Sequence, residues 1–136
     1  MVICGIELSG SEARLVLLDG IKASFTHIEI EPRKIKLMDD ANPTEVKAFR
    51  DSIFAFFREN KAAQVFIKKR GKKGDYSGGP VSFKLEGIVQ LFEGCPIELI
   101  ASQSISTAIK KHSPVNPPNL RKYQHRAFET AFCALK

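Results

Sequence analysis

The amino-acid sequence predicts one α/β domain over residues 1–136, built on a mixed five-stranded sheet with helices on both faces. The length suits a single domain. Strand patterns fill the start of the chain, and helical and strand patterns alternate after it. The predicted order is strand, strand, strand, helix, strand, helix, strand, helix. Such an order places three antiparallel strands beside strand–helix–strand units.

The first three strands follow from apolar patterning and turn residues. Residues 2–8 are apolar on both sides, which is typical of a central strand, and residues 13–19 form the next strand. Because Gly10 favours a tight turn between them, we expect these strands to pair as an antiparallel hairpin. A further turn is predicted at residues 19–20. Residues 23–31 form the third strand, and their charged positions predict a sheet edge.

The first helix and the fourth strand occupy the middle of the chain. Asn42 is a suitable helix cap, and Pro43 suits the first helical position. Apolar residues at helical spacing continue this helix to near Asn60. Residues 64–68 form the fourth strand. Residues 69–79 are rich in Gly, Lys and Ser, which predicts a mobile loop.

The remaining elements alternate between helix and strand. Residues 80–94 form a second helix, because a proline opens the segment and a glycine stops it. Residues 97–100 form the fifth strand, and residues 102–111 form a short helix. Asn119 is predicted to cap the last helix, which runs over residues 120–135.

The cysteines and the hydropathy pattern predict a cytoplasmic protein without a membrane partner. Cys4, Cys95 and Cys133 lie far apart and form no Cys-x-x-Cys pair, so reduced buried thiols are expected. Metal-ligand spacing of the Cys/His type is absent. No apolar run reaches the length of a membrane span, and no secretion leader stands at the start.

The positive charge is clustered. The formal net charge is +6, and clustered cations favour phosphate-rich partners such as nucleic acid. The alternative is a solvated face that only keeps the protein soluble. The basic groups lie at residues 68–73, 110–112, 121–122 and 125–126.

Four segments resemble the Holliday-junction resolvases. Ile3–Ser11 looks like their opening strand and turn, and residues 64–68 look like their fourth strand. Residues 82–87 are similar to the helix that follows, and residues 126–132 resemble the final helix. The resemblance implies a ribonuclease H-like fold. The chain also resembles a family of small uncharacterised bacterial proteins in the same superfamily.

The resemblance implies a site at the ends of two strands and the last helix, but with altered charges. The resolvases use carboxylates there to hold two Mg²⁺ ions. Glu7 matches the first-strand acid, whereas Lys68 stands at the fourth-strand acid. The last helix offers Glu129 and Arg126, or Tyr123 and Arg126 in a register one turn earlier. We expect Lys68 to neutralise Glu7 and Glu129 directly, and divalent metal binding to be weak or absent.

Three hypotheses of function remain open from the sequence. The leading one is a catalytically degenerate protein that binds nucleic acid or another phosphate-bearing ligand without a cofactor. The second is a nuclease or phosphodiesterase in which Glu7 and Glu129 use Mg²⁺ or Mn²⁺. The third is a homodimeric interaction module with a helical face around Tyr123 and Phe128. The candidate ligand-binding residues of the first hypothesis are Ser9, Lys68, Lys69, Arg70, Lys72, Lys73, Arg121, Lys122, His125 and Arg126.

Overall fold

The sheet is mixed and carries helices on both faces, as the sequence predicts. The computed structural model describes residues 1–71 and 79–136. Antiparallel strands lie at one side of the sheet and parallel strands at the other, in the order β3-β2-β1-β5-β6, with β4 also paired to β2. The strands are β1 (Val2–Ser9), β2 (Glu12–Ile21), β3 (Ser24–Ile28), β4 (Lys34–Lys36), β5 (Gln64–Lys68) and β6 (Ile97–Ile100).

The helices follow the predicted order. They are α1 (Pro43–Glu59), α2 (Pro80–Gln90), α3 (Ser102–His112) and α4 (His125–Ala134), and a 3₁₀ turn (Lys122–Gln124) precedes α4. The predicted cap of α1 is confirmed, because the Thr44 backbone N–H donates to Asn42 Oδ1 at 2.9 Å. Residues 72–78 of the predicted loop lie outside the described residues.

The hairpin of β1 and β2 has the predicted tight turn. Gly10 has a φ of +58°, a left-handed conformation that favours glycine. Ser9 pairs with Glu12, and the register then places Glu7 opposite Arg14. The turn therefore decides which cross-strand partner Glu7 meets.

Besides shifts of a few residues at other strand and helix ends, such as β3 ending at Ile28 rather than at residue 31, three features differ from the sequence predictions. The turn predicted at 19–20 lies instead at 22–23, because Gly20 takes its positive φ of 123° while paired with Phe25 inside the ladder. The short strand β4 was not predicted, since only Ile35 in its three residues is buried. The last helix begins at His125 rather than at residue 120, so Asn119 does not cap it.

A buried glutamine explains why α4 begins at His125 and not at residue 120. Gln124 is fully buried, and its Nε2 donates to the Leu15 carbonyl oxygen of β2 at 2.8 Å. Its Oε1 accepts from the Arg121 backbone N–H at 2.9 Å. Both polar ends of the side chain are therefore satisfied, and the chain is tied to the sheet just before the helix begins.

Each face of the sheet has its own apolar cluster. One cluster packs α1 and α2 on one face, through side chains that include Phe49, Ile53, Phe57, Leu85 and Val89. The other packs α4 on the opposite face, through Ile3, Val16, Leu18, Phe66, Ala127, Phe128, Ala131 and Phe132. Strand residues alternate between the two clusters, as the pleat requires. The α4 face is the one that bears the candidate site.

The helix α4 lies directly on β1 because position 5 is glycine. A Cβ atom at Gly5 would lie 2.3 Å from the Ala127 carbonyl oxygen and 2.7 Å from the Ala131 Cβ atom. Contacts this short leave no room for any side chain. The small residues thus set the height of α4 above the sheet, and with it the position of the polar residues on α4.

Candidate functional site

The site lies where β1 and β5 end on the α4 face. These strands are parallel neighbours, and Ile6 is in register with Ile67. Glu7 and Lys68 follow this pair on their respective strands. Because Gly5 and Phe66 face α4, the alternation of the pleat turns Glu7 and Lys68 to that same face. The carboxyl ends of strands are where open α/β sheets place their ligands.

A basic cavity of about 270 Å³ opens at these strand ends, and we call it the strand-end cavity. Among the described residues, its charged lining consists of three cations and one carboxylate, that of Glu7, a formal net charge of +2. The loop after β5 provides two of these cations. The lining residues are Glu7, Leu8, Lys68, Lys69, Arg70, Gly71 and Ser102.

Arg14 holds the Glu7 carboxylate. Its Nη1 lies 3.3 Å from Glu7 Oε1, and its Nε donates to Glu12 Oε2 at 2.9 Å. The hydrogen bond to Glu12 raises the pKa of the guanidinium, and the charge of Glu7 raises it further, against the effect of burial. Glu7 is thus already paired with a permanent cation within the sheet.

Arg70 is a half-buried cation of the strand-end cavity. Burial lowers its pKa, while the negative charges of Glu7 and Glu86 oppose that effect. Among the described residues, its Nη1 atom is buried without a hydrogen-bond acceptor. A guanidinium with an unused donor has a strong tendency to bind an anionic oxygen.

A second cavity, of about 160 Å³, lies between α3 and α4, and we call it the interhelical cavity. It shares Lys68 and Ser102 with the strand-end cavity. Arg126 Nη1 contacts Glu129 Oε1 at 3.1 Å on its α4 side. The lining residues are Lys68, Ser102, Ile105, Ser106, Ile109, Lys110, Arg126 and Glu129.

The three residues expected to meet are neighbours, but the expected direct neutralisation by Lys68 is wrong. Glu7 lines one cavity, Glu129 lines the other, and Lys68 lines both. Within residues 1–71 and 79–136, no ion pair joins Lys68 to either carboxylate. Each carboxylate instead has an arginine at shorter range, Arg14 across the hairpin and Arg126 three residues earlier on α4.

The other candidate residues lie apart from the two cavities or outside the description. Ser9, Arg121, Lys122 and His125 line neither cavity. Glu129 contacts Arg126 rather than His125. Lys72 and Lys73 lie outside the described residues.

The predicted homodimer face is wrong for Phe128. This side chain is 1% exposed, and its ring lies 5.8 Å from that of Phe25 inside the α4 cluster. Tyr123 is half-buried, with the Lys34 ammonium 4.8 Å from the centre of its ring. A homodimer remains a prediction without an assigned surface.

Sequence reasoning missed four polar residues, of which three line the cavities and one holds the Glu7 carboxylate, and two sequence signals point to them. The two-residue turn after Ser9 implies that Glu7 faces Arg14, once antiparallel pairing is assumed. Ser102, Ser106 and Lys110 recur every four residues, so they share one face of α3. That face is the one turned to the interhelical cavity.

The residues present do not fit a two-metal centre. Two divalent cations need several converging carboxylates, and Glu7 and Glu129 line separate cavities with the ammonium-bearing Lys68 common to both. Each carboxylate is also engaged by an arginine. Across the described parts of the chain, no group of three or more His, Cys, Asp or Glu side chains is arranged to hold a metal ion.

The family is established by a match over almost the whole chain. The model of the family described as "Protein of unknown function (DUF3010)" matches residues 1–134. The chain belongs to this family. Comparison with curated protein sequences gives no match.

Solved structures show that the DUF3010 chain has the fold of the RuvC-type resolvases. Thermus thermophilus RuvC superposes with a TM-score of 0.73 at 13% identity, over 98% of this chain and 92% of RuvC. The same protein in complex with Holliday junction substrate gives 0.69 at 12% identity, over 98% and 91%. The fowlpox virus Holliday junction resolvase gives 0.52 at 13% identity, over 98% and 93%. At such identities the likeness establishes the ribonuclease H-like fold alone.

Of the helices in the described residues, none has the length and apolar character that crossing a membrane requires.

Proposed function

We propose that this DUF3010 protein binds the phosphate backbone of nucleic acid in the strand-end cavity, without metal-dependent cleavage. The observation that carries the proposal is the engagement of Glu7 by Arg14 beside three cations of the same cavity, Lys68, Lys69 and Arg70. The site carboxylate is neutralised from within the sheet, and the cavity cations remain available for phosphate oxygens. The fold is also that of T. thermophilus RuvC, which has been solved in complex with Holliday junction substrate.

The start of α3 adds to this positive potential. No side chain caps the helix at Ala101, and its first turn carries no acidic residue. Ser102, the first residue of the helix, lines the strand-end cavity. The backbone N–H groups at a helix start carry partial positive charge and bind phosphate oxygens well. A phosphate in the cavity would therefore meet side-chain cations and a helix start together.

The experiment is a binding titration with fluorescently labelled DNA and RNA oligonucleotides in a chelating buffer, followed by anisotropy. The proposal predicts binding in the absence of divalent metal, with an affinity that falls steeply as salt rises. Lys69→Gln should weaken binding to all sequences alike and lower the salt slope by about 0.7–0.9. Lys47→Gln is the matched control, because Lys47 is an equally exposed lysine on α1, on the other face of the sheet.

The second hypothesis, a metal-dependent nuclease or phosphodiesterase, makes opposite predictions in the same assay. Binding or cleavage would then require Mg²⁺ or Mn²⁺, and Glu7→Gln or Glu129→Gln would abolish cleavage. Release of labelled fragments from branched or single-stranded DNA with Mn²⁺, lost in both variants, would contradict the proposed function. Equal affinity of the Lys69→Gln and Lys47→Gln proteins would contradict the assignment of the cavity.

A further inference from the structure

The interhelical cavity is smaller than the strand-end cavity. Its volume of about 160 Å³ lies below the range of roughly 300–1,000 Å³ typical of pockets for drug-sized ligands. It accommodates a phosphate group more readily than a whole nucleotide. Because it shares Lys68 and Ser102 with the strand-end cavity, a ligand can occupy both at once.

The combined charge of the two cavities suits a terminal phosphate monoester beside a backbone phosphodiester. Of the residues that the structure describes, Lys68, Lys110 and Arg126 line the interhelical cavity together with one carboxylate, that of Glu129, a formal net charge of +2. A monoester carries a charge of about −1.5 to −2 at neutral pH, whereas a backbone phosphodiester carries about −1. Because Lys68 is shared, the described lining of both cavities has five cations and two carboxylates, a formal net charge of +3. A terminal monoester and one adjoining phosphodiester together would neutralise this charge.

The lining of the interhelical cavity also favours a phosphate group. The hydroxyl groups of Ser102 and Ser106 are hydrogen-bond donors on the α3 side. Ile105, which is 5% exposed, and the partly buried Ile109 provide an apolar floor between them. An apolar floor lowers the local dielectric constant and makes each charge-assisted hydrogen bond stronger.

We infer that the interhelical cavity takes the terminal phosphate monoester of a nucleic-acid strand whose backbone lies in the strand-end cavity. This inference rests on the proposed function and adds a preference for phosphorylated strand ends. Lys68 contacts both the terminal phosphate and the adjoining backbone, because it lines both cavities.

The test compares three oligonucleotides of one sequence, carrying a 5′-phosphate, a 3′-phosphate or only hydroxyl ends, in the chelating buffer described above. One phosphorylated strand should bind at least about tenfold more tightly than the hydroxyl-ended strand, equivalent to about 1.4 kcal/mol. Inorganic phosphate should abolish this difference before it displaces the hydroxyl-ended strand. Displacement of all three strands in parallel would overturn the inference.

Two adjacent lysines supply the matched variants. Lys110→Gln should remove the preference for the phosphorylated end and leave the affinity of the hydroxyl-ended strand nearly unchanged. Lys111→Gln removes the same charge from a residue that does not line this cavity, so the preference should persist. A loss of affinity that is equal for all three strands in Lys110→Gln would overturn the inference.

Failure of the inference and failure of the proposed function give different results. Equal binding of the three strands by the parent protein overturns the end preference and leaves backbone binding in place. Failure of all three strands to bind overturns the proposed function, and the inference with it.

Discussion

Substitution of Gly5 by alanine tests how closely α4 packs on the backbone of β1. The new Cβ atom would lie 2.3 Å from the Ala127 carbonyl oxygen and 2.6 Å from the Ala131 backbone nitrogen, where ordinary contact begins near 3.4 Å. These neighbours are backbone atoms and cannot rotate away, so α4 must rise by about 1 Å. Overpacking of a well-packed core costs about 1–3 kcal/mol. The reduced flexibility of the unfolded chain offsets about 0.5–1 kcal/mol.

We therefore expect Gly5→Ala to lower the free energy of unfolding by about 1–2 kcal/mol, measured by urea denaturation followed by circular dichroism. The matched control is Gly87→Ala in α2, where a Cβ atom would meet nothing within 4 Å. That change should stabilise the protein by about 0.5–1 kcal/mol, because alanine is the better helix former. A Gly5→Ala protein as stable as the parent would refute the argument that α4 rests on the backbone of β1.

The remaining stability predictions use the same urea assay. Gln124→Ala should cost about 1–3 kcal/mol, because the Leu15 carbonyl loses its buried donor, and an unchanged midpoint would contradict this. Asn42→Ala should cost about 1 kcal/mol through loss of the α1 cap, and a neutral effect would contradict the capping assignment. Burial lowers the pKa of His27 from 6.5, with the charge of Glu29 raising it and that of Arg33 lowering it. As the pH falls through 6.5, the unfolded chain then binds more protons than the folded protein, so the free energy of unfolding should fall on acidification. The fall should be less steep in His27→Gln, and parallel pH profiles of the two proteins would exclude His27 as its cause.

The order of the main elements could be predicted because it depends on local patterning. The apolar strand Val2–Ser9, the Asn42 cap and the apolar stripe of α1 each contain their own signal. The strand Ile97–Ile100 has the bounds that were predicted. The start of α4 could not be predicted in this way, because Gln124 is held by a carbonyl group more than a hundred residues earlier in the chain.

The ion pairs of the site were harder to predict than its position at the strand ends. Glu7, Lys68 and Glu129, which the resemblance to the resolvases singled out, line neighbouring cavities. The resemblance did not reveal that arginines hold both carboxylates, since Arg14 lies outside the compared segments and Arg126 was matched to a position where the resolvases have an acid. Ion pairing at a site depends on distances of about an ångström, and a strand register alone does not resolve such distances.

The affinity of Glu7→Gln for a phosphorylated oligonucleotide in a chelating buffer tests the central claim most directly. The substitution removes a negative charge from the cavity lining and takes from Arg14 one of its two carboxylate partners, leaving Glu12 in place. For a phosphate about 6 Å away in water-like surroundings, the lost repulsion is about 0.7 kcal/mol. The account predicts binding that is about threefold tighter than that of the parent protein, without added metal. Loss of binding in Glu7→Gln, or parent binding that appears only with Mg²⁺ or Mn²⁺, would contradict it.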